Sequence, residues 1–424
     1  MKAGYLPRVA DAQLQTMLEA FGAVCIEGPK WCGKTWTALN QAASVVYMGS
    51  PEGNFQNRTI GMLDPSLVLQ GAAPRLVDEW QEVPSLWDAV RHAVDQESAR
   101  GRFILTGSAT PAYKGIMHSG AGRIGRMRMH TMSLFESGDS QGVVSLSDVL
   151  KNRLTPVRIE ETTLSHLIDW TVRGGWPGSI GLSSKAAAEL PKAYLHSVVA
   201  DDLHRMDGIR RDSQKMWMLL RSLARNESTL ASHRALHRDM LQEEGDAINP
   251  ETVSEYLTVL DRIFLREDQR AFSPNMRSSV RVGKSPKRHF ADPSLAVAAL
   301  GATHDRLLRD LHTFGFLFEA LCERDLRIYA AANGAELYHY RDGSGREVDA
   351  VVECADGSWG AFEIKLGLNQ LDEAAQKLLS IQQLMRQEPS AKAPSALCVL
   401  CGVGQYAYTR EDGVMVVPIA ALKP

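Results

Sequence analysis

The chain lacks any apolar run approaching the roughly 20 residues needed to cross a bilayer, so no membrane partner is expected. Its start, "MKAGYLPRVADAQLQ", has no uninterrupted apolar stretch of the signal-peptide kind, and a cytoplasmic protein is expected. Cysteines are few, six in 424 residues, and scattered, which suits a reducing compartment. The one close pair, Cys398 and Cys401 in "ALCVLCGVG", sits in a strand-like segment. Residues three apart there point to opposite faces, and without a second pair this reads as core packing rather than zinc. His233 and His237 in "HRALH" lack the glutamate of HExxH and read as ordinary histidines. Charge of one sign is lacking too. The net charge of −3 does not advertise a nucleic-acid binder, although a local basic patch such as "RSSVRVGKSPKRH" (277–289) can serve; a solvated loop is the blander reading. What remains, 44% apolar and 23% charged residues, describes a soluble globular protein of two or three domains.

The strongest local signal is "FGAVCIEGPKWCGKTWTALNQAA". An apolar strand runs into Gly28-x-x-x-x-Gly33-Lys34-Thr35 and then a helix, so the stretch Gly28, Pro29, Lys30, Trp31, Cys32, Gly33, Lys34, Thr35, Trp36 is expected to bind nucleotide. The glycines let successive amides face phosphate oxygens, Lys34 meets the β and γ phosphates, and the Thr35 hydroxyl binds Mg²⁺. A second apolar strand ends in Asp78-Glu79, within "PRLVDEWQEVP". Asp78 is placed to hold Mg²⁺ through water and Glu79 to polarise the attacking water. A third strand, "GRFILTGSAT", brings a hydroxyl, Ser108, toward the γ-phosphate. No guanine-reading Asn-Lys-x-Asp segment occurs, so ATP is expected over GTP. These pieces imply a mostly parallel sheet with helices on both faces. In "SGAGRIGRMRMHTMSLFE", Arg123 and Arg126 are candidate arginine fingers acting from a neighbouring subunit of a homo-oligomer, or simply basic loop residues.

Near the other end, "REVDAVVECADGSWGAFEIKLG" (346–367) reads as two strands joined by an Asp356-Gly357 turn. Its charges, Glu347, Asp349, Glu353, Glu363 and Lys365, share one phase. Strand periodicity fits a metal-holding face and the wet side of an amphipathic hairpin equally well.

Taken together, "GPKWCGKT", "LVDEWQEVP", "FILTGS", "AGRIGRMRMHTMSLFE", "RGGWPGSI", "VVADDL", "SPKRHFADPSLA" and "GREVDAVVE…GAFEIKLG" resemble, in order and over nearly the whole chain, prokaryotic AAA+-type ATPases carrying a DUF4143 C-terminal region. The resemblance implies an α/β protein with a P-loop ATPase core at 1–155, a helical region with a winged-helix-like unit at 156–303, and a restriction-endonuclease-like domain at 304–424. Bulky Trp31 and Cys32 depart from the usual loop. Glu251 and Glu255, near the start of the would-be recognition helix, would repel phosphate, so that unit reads as a packing or partner module. In the implied nuclease-like site, Asp349 and Glu363 hold a second Mg²⁺ or Mn²⁺, Lys365 orients water or offsets charge, and Glu319 joins from a helix. Glu319 has Phe316 and Cys322 as helical neighbours. That argues for a half-buried carboxylate needing a partner, and against a merely wet hairpin. Two functions are therefore carried: an Mg²⁺-dependent ATPase acting on DNA or RNA through a PD-(D/E)xK-like site, and a nucleotide-switched regulatory protein whose C-terminal domain is inert. A divalent ion between Asp349 and Glu363 favours the first, and a lysine or arginine filling that space favours the second.

Overall fold

Strands of four or five residues, apolar on both phases, form only where both faces are covered, and the first sheet is built from such strands. β1 (Ala23–Glu27), β2 (Ser44–Tyr47), β3 (Arg75–Asp78), β4 (Phe103–Gly107) and β5 (Ile124–Arg128) lie in the order β2-β3-β4-β1-β5, every pair parallel. This is a computed structural model, which describes residues 4–97, 99–109, 116–204, 208–244, 248–388 and 391–424. Alternation decides the two covers. Ala23 and Cys25 of β1 pack with Leu86, Trp87 and Val90 of the helix Leu86–Glu97. Val24 and Ile26 pack on the other side with Leu14 and with Ala38 of the helix Lys34–Gln41. β4 separates β1 from β3, so the strand ending in Asp78 is not the immediate neighbour of the phosphate-loop strand.

The middle of the chain is helical, with helices at Leu164–Arg173, Glu189–Ser197, Ser213–Arg225, His233–Glu244, Pro250–Arg262 and Pro293–Ala299. Asn249 caps Pro250–Arg262 by accepting from the Glu251 amide, with proline at the first helical position. Part of the acidic joint before it, 245–247, lies outside the described residues. The basic stretch 277–289 is solvated only in part: Arg277 and Lys284 are exposed, whereas its other cations are paired or buried. Arg281 forks onto Glu353 with two 2.8 Å bonds, Arg288 meets Asp268 at 2.5 Å, and Lys287 and His289 are buried.

In the C-terminal part, β8 (Glu336–Arg341), β9 (Glu347–Glu353), β10 (Trp359–Lys365), β11 (Ala396–Cys401), β12 (Tyr406–Thr409) and β13 (Met415–Pro418) join β7 (Val157–Arg158) in a mixed sheet ordered β7-β12-β13-β11-β10-β9-β8. β9 and β10 form the expected antiparallel hairpin, and β11 runs parallel to β10. The helix Leu311–Ala332 packs Leu317 and Phe318 with Phe362 on one face. The helix Leu371–Gln387 packs Ala374 and Leu378 with Ala361 on the other. Cys398 and Cys401 fall into these two separate cores. One apolar core crosses both expected domain boundaries, reaching from Leu134 through Leu195 and Leu260 to Phe362 and Leu422. β6 (Val144–Ser145) pairs with β14 (Leu422–Lys423), a further tie between distant parts of the chain.

Candidate functional site

Beyond Glu27 the chain curls through 28–33 into the helix Lys34–Gln41. A Cβ on Gly28 would lie 2.2 Å from the Met129 carbonyl oxygen, and Gly33 has a φ of 103°, so both positions need glycine. Lys34 is buried and donates to the carbonyls of Gly28 (2.9 Å) and Pro29 (2.7 Å). The Thr35 hydroxyl donates to Asp78 Oδ1 at 2.8 Å, and Thr106 at the end of β4 donates to the same oxygen at 2.6 Å. Glu79 adopts left-handed backbone angles, φ 57° and ψ 46°, uncommon for a residue with a side chain. Its carboxylate accepts from the Gln81 amide and from the Ser108 hydroxyl, the latter at 3.4 Å. Glu79, Ser108 and Lys30 line one cleft of about 530 Å³. Trp31, at φ 64° and half exposed, meets Tyr194 edge-on at 5.3 Å, Cys32 is buried and Trp36 is exposed. Arg123 bonds Asp95 at 2.6 Å just before β5, at the end of the sheet away from the phosphate loop. Arg126 bonds Glu27 at 2.6 Å and lies 4.7 Å over the Trp87 ring. Within one chain neither arginine is directed at the loop.

In the second sheet the β9–β10 ladder stops at Ala350–Phe362, and Asp349 then accepts from the Ile364 amide at 2.8 Å. Asp349 and Glu363 come together beneath the helix Leu371–Gln387, and two ammonium groups fill the space between them. Lys365 lies 3.3 Å from Asp349 and 3.0 Å from Glu363, while Lys377 lies 2.7 Å from Glu363 and 4.0 Å from Asp349. Both Glu363 oxygens are buried and neither receives a hydrogen bond of good geometry, so its partnership with the lysines is one of charge. Burial and the Asp349 charge raise the Glu363 pKa against the pull of the lysines. For Asp349 burial works upward too, but Lys365, Lys287 and Lys377 outweigh it, and the Ile364 amide adds to the lowering. The two carboxyls thus shift apart because only Asp349 has that amide and the third lysine. The wet-face reading of the hairpin is excluded, since Glu363 is fully buried and Glu353 is taken by Arg281. Glu319 comes from the helix on the other face and turns to Lys287 at 2.6 Å; Lys287 also bonds Glu323 (2.8 Å) and the Asp349 carbonyl (2.8 Å). Burial, then the charges of Asp349 and Glu323, lift Glu319 to about 8 against the pull of Lys287. Glu319 and Lys365 both line an open cleft of about 680 Å³.

The sequence of residues 20–137 matches a family described as an AAA domain, 164–306 a domain of unknown function termed DUF8612, and 314–422 the domain of unknown function DUF4143. The chain joins a P-loop ATPase domain to a C-terminal DUF4143 region. Uncharacterized proteins of Mycobacterium tuberculosis and Mycobacterium bovis are each 26% identical to it over 365 residues, covering 84% of this chain and 73% of theirs. Among solved structures, a Walker-type ATPase of Pyrococcus abyssi aligns at 13% identity and a TM-score of 0.42, covering 70% of this chain and 96% of that one.

The ATPase domain and the DUF4143 region meet in a buried polar junction. Asp292 accepts from Thr131 (2.7 Å), the Gly175 amide (3.0 Å) and Arg324 (3.2 Å), and Arg324 also pairs with Asp325 at 2.7 Å. Asp325 in turn accepts from the Leu134 amide at 2.9 Å. Three of the quoted motifs, "MHTMSLFE", "RGGWPGSI" and "ADPSLA", are therefore parts of one contact. Reasoning from residue patterns missed Lys287, Lys377 and Asp202, the last of which holds Lys30 at 2.5 Å. "VVADDL" was a signal for Asp202; Lys377 sits in the ordinary amphipathic helix "LDEAAQKLLSIQQLMRQ" and offers none. Among the described residues no helix is long and apolar enough to cross a membrane. Among them, likewise, no three His, Cys, Asp or Glu side chains are grouped to hold a metal.

Proposed function

We propose that this chain binds ATP with Mg²⁺ in the loop 28–36 and hydrolyses it. The observation that carries the reading is the convergence of the Thr35 hydroxyl and the Asp78 carboxylate at 2.8 Å, beside a loop in which glycine is obligatory at Gly28. Hard oxygen donors of this kind suit Mg²⁺, which when bound would offset phosphate charge. Thr106 fixes the Asp78 carboxylate from below. Lys34 needs only to leave the Gly28 and Pro29 carbonyls to reach phosphate oxygens. Glu79, turned by its left-handed backbone into the cleft and steadied by Gln81 and Ser108, is the base that orients and polarises water. The test is Glu79→Gln: ATP should stay bound while hydrolysis slows on the order of a hundredfold or more. Full activity would remove Glu79 from the role.

For the DUF4143 region the filled space between Asp349 and Glu363 favours the regulatory reading, in which nucleotide state is passed to a charge-closed C-terminal domain. The ammonium groups of Lys365 and Lys377 fit this carboxylate pair as it stands, and a divalent cation there would have to displace at least one of them. A second reading, metal-dependent cleavage of DNA or RNA, is favoured by the spacing of Asp349, Glu363 and Lys365 beside the cleft that contains Glu319. Measuring ATP turnover and nucleic-acid cleavage together, with and without DNA or RNA, separates the two. ATP-dependent cleavage lost in Asp349→Asn would establish the second, and turnover without cleavage the first.

A further inference from the structure

The phosphate loop is gripped from outside its own domain. Lys30, at the third position of the loop, reaches Asp202, whose side chain is 9% exposed, at 2.5 Å. The Lys30 amide donates to the Tyr194 hydroxyl at 3.3 Å, and the neighbouring Trp31 ring rests against Tyr194. Asp202 ends a π-helical turn, Val198–Asp202, that continues the helix Glu189–Ser197. Such turns are rare, cost regular helical hydrogen bonding and frequently mark functional positions. Tyr194 packs, tilted, at 5.2 Å against Trp176, whose indole N–H donates to Ser294 at 2.9 Å, beside the Asp292 junction. A continuous set of contacts therefore runs from the loop to the DUF4143 region. Lys30 and Asp202 line the same cleft as Glu79 and Ser108, the residues assigned above to the hydrolytic end of the nucleotide.

We propose that Asp202 is a positioning residue of the nucleotide site: it holds the Lys30 ammonium, ATP takes that ammonium over, and the released π-turn reports the bound triphosphate to the rest of the chain. The proposal rests on the ATP reading above. The competition is physical. A triphosphate presents more negative charge to Lys30 than one carboxylate does, and an ammonium can face only one of them closely. Because Lys30 remains partly exposed, the ion pair it gives up is a modest one, and nucleotide binding can break it. Release leaves Asp202 without its cation at the end of an irregular turn, which lowers the local stability of 198–204.

The test uses the full chain and the non-hydrolysable β,γ-imido analogue of ATP, with Mg²⁺, against ADP. In Asp202→Asn the competitor is gone, so the analogue should bind about two- to fivefold more tightly while ADP affinity changes less. A residue that merely braced the fold would weaken both ligands alike. Unchanged or weaker analogue binding, or an equal shift for ADP, overturns the proposal. Hydrogen exchange in the unmodified chain gives a second measure that needs no variant. Amides of 198–204 should exchange faster with the analogue bound than with ADP, and equal exchange overturns the proposal even if Asp202→Asn fails to fold. If ADP and the analogue bind neither protein, the ATP reading falls and takes this one with it. Binding with no Asp202 effect removes this inference alone.

Discussion

His289 is buried between two carboxylates, Glu227 at 3.0 Å from Nδ1 and Glu323 at 3.0 Å from Nε2. Burial alone would lower its pKa, but the Glu323 and Glu227 charges outweigh it and lift the imidazole from 6.5 to about 9. At about 1.4 kcal/mol for each tenfold change, that rise corresponds to roughly 3 kcal/mol of folding stability. The sign follows from the native state holding its proton more tightly than the unfolded chain. The contribution is complete below pH 6.5 and is lost as pH rises through about 9. Glu319, lifted to about 8, works in the same direction over a lower window, complete below 4.5 and gone above 8. Urea unfolding of the full chain at a series of pH values from 6 to 10 should therefore show a midpoint that falls from pH 6 to about 9. In His289→Gln, which cannot titrate, the fall below pH 8 should become shallower but persist, carried by Glu319, while the part between 8 and 9 disappears. The variant should also be less stable near neutrality, since two carboxylates lose their shared cation. A wild-type midpoint that stays flat from pH 7 to 9.5, or a slope above pH 8 that survives in His289→Gln, would refute a charged imidazole in this cluster.

Lys34→Ala should abolish tight ATP binding, and an unchanged affinity would sink the phosphate-loop assignment. If Arg123 or Arg126 serves a neighbouring subunit, turnover per chain should rise with protein concentration, and mixing Arg123→Ala/Arg126→Ala with Lys34→Ala should restore part of it. A concentration-independent rate with no rescue would confine these arginines to their Asp95 and Glu27 pairs. Lys377→Ala removes the ammonium nearest Glu363, so in the presence of saturating ATP it should gain thermal stability from Mn²⁺, by about 2.7 kcal/mol at a hundred times the dissociation constant. An equal Mn²⁺ effect in wild type, lost in Asp349→Asn/Glu363→Gln, would show instead that the lysines yield to metal.

The phosphate loop was legible because strand, glycines, lysine and helix are contiguous, so short-range pattern carries the geometry. The β9–β10 hairpin was legible for the same reason, with Asp356-Gly357 between alternating strands. The placing of β4 between β1 and β3 is a choice among parallel neighbours that no local pattern encodes. The basic run 277–289 misled because charge density says nothing about which side chains will be buried against carboxylates from elsewhere, as Lys287 is against Glu319 and Glu323. Lys377 was invisible because a lysine on an amphipathic helix reads as solvated until the sheet beneath is known to carry Asp349 and Glu363. Glu319 was expected to be half buried and in need of a partner, and it is, but the partner is a lysine from the middle region.

The Asp292–Arg324–Asp325 junction also bears on how the chain can be divided. All three charges are buried; Arg324 and Asp325 neutralise one another within the C-terminal segment, but Asp292 meets its cation, Arg324, only across the boundary that the sequence suggests near 303. A cut near residue 155 would strip Asp292 of the Thr131 hydroxyl and Asp325 of the Leu134 amide, and a cut near 303 would leave Asp292 without Arg324. A fragment ending near 303 would carry an uncompensated buried carboxylate, Asp292, a defect of roughly 3–5 kcal/mol. One starting near 155 would carry two carboxylates each short of a buried donor, roughly 1–3 kcal/mol apiece. Such pieces would be expected to aggregate or be degraded rather than serve as working modules, a coupling that would show in fragment expression and in limited proteolysis.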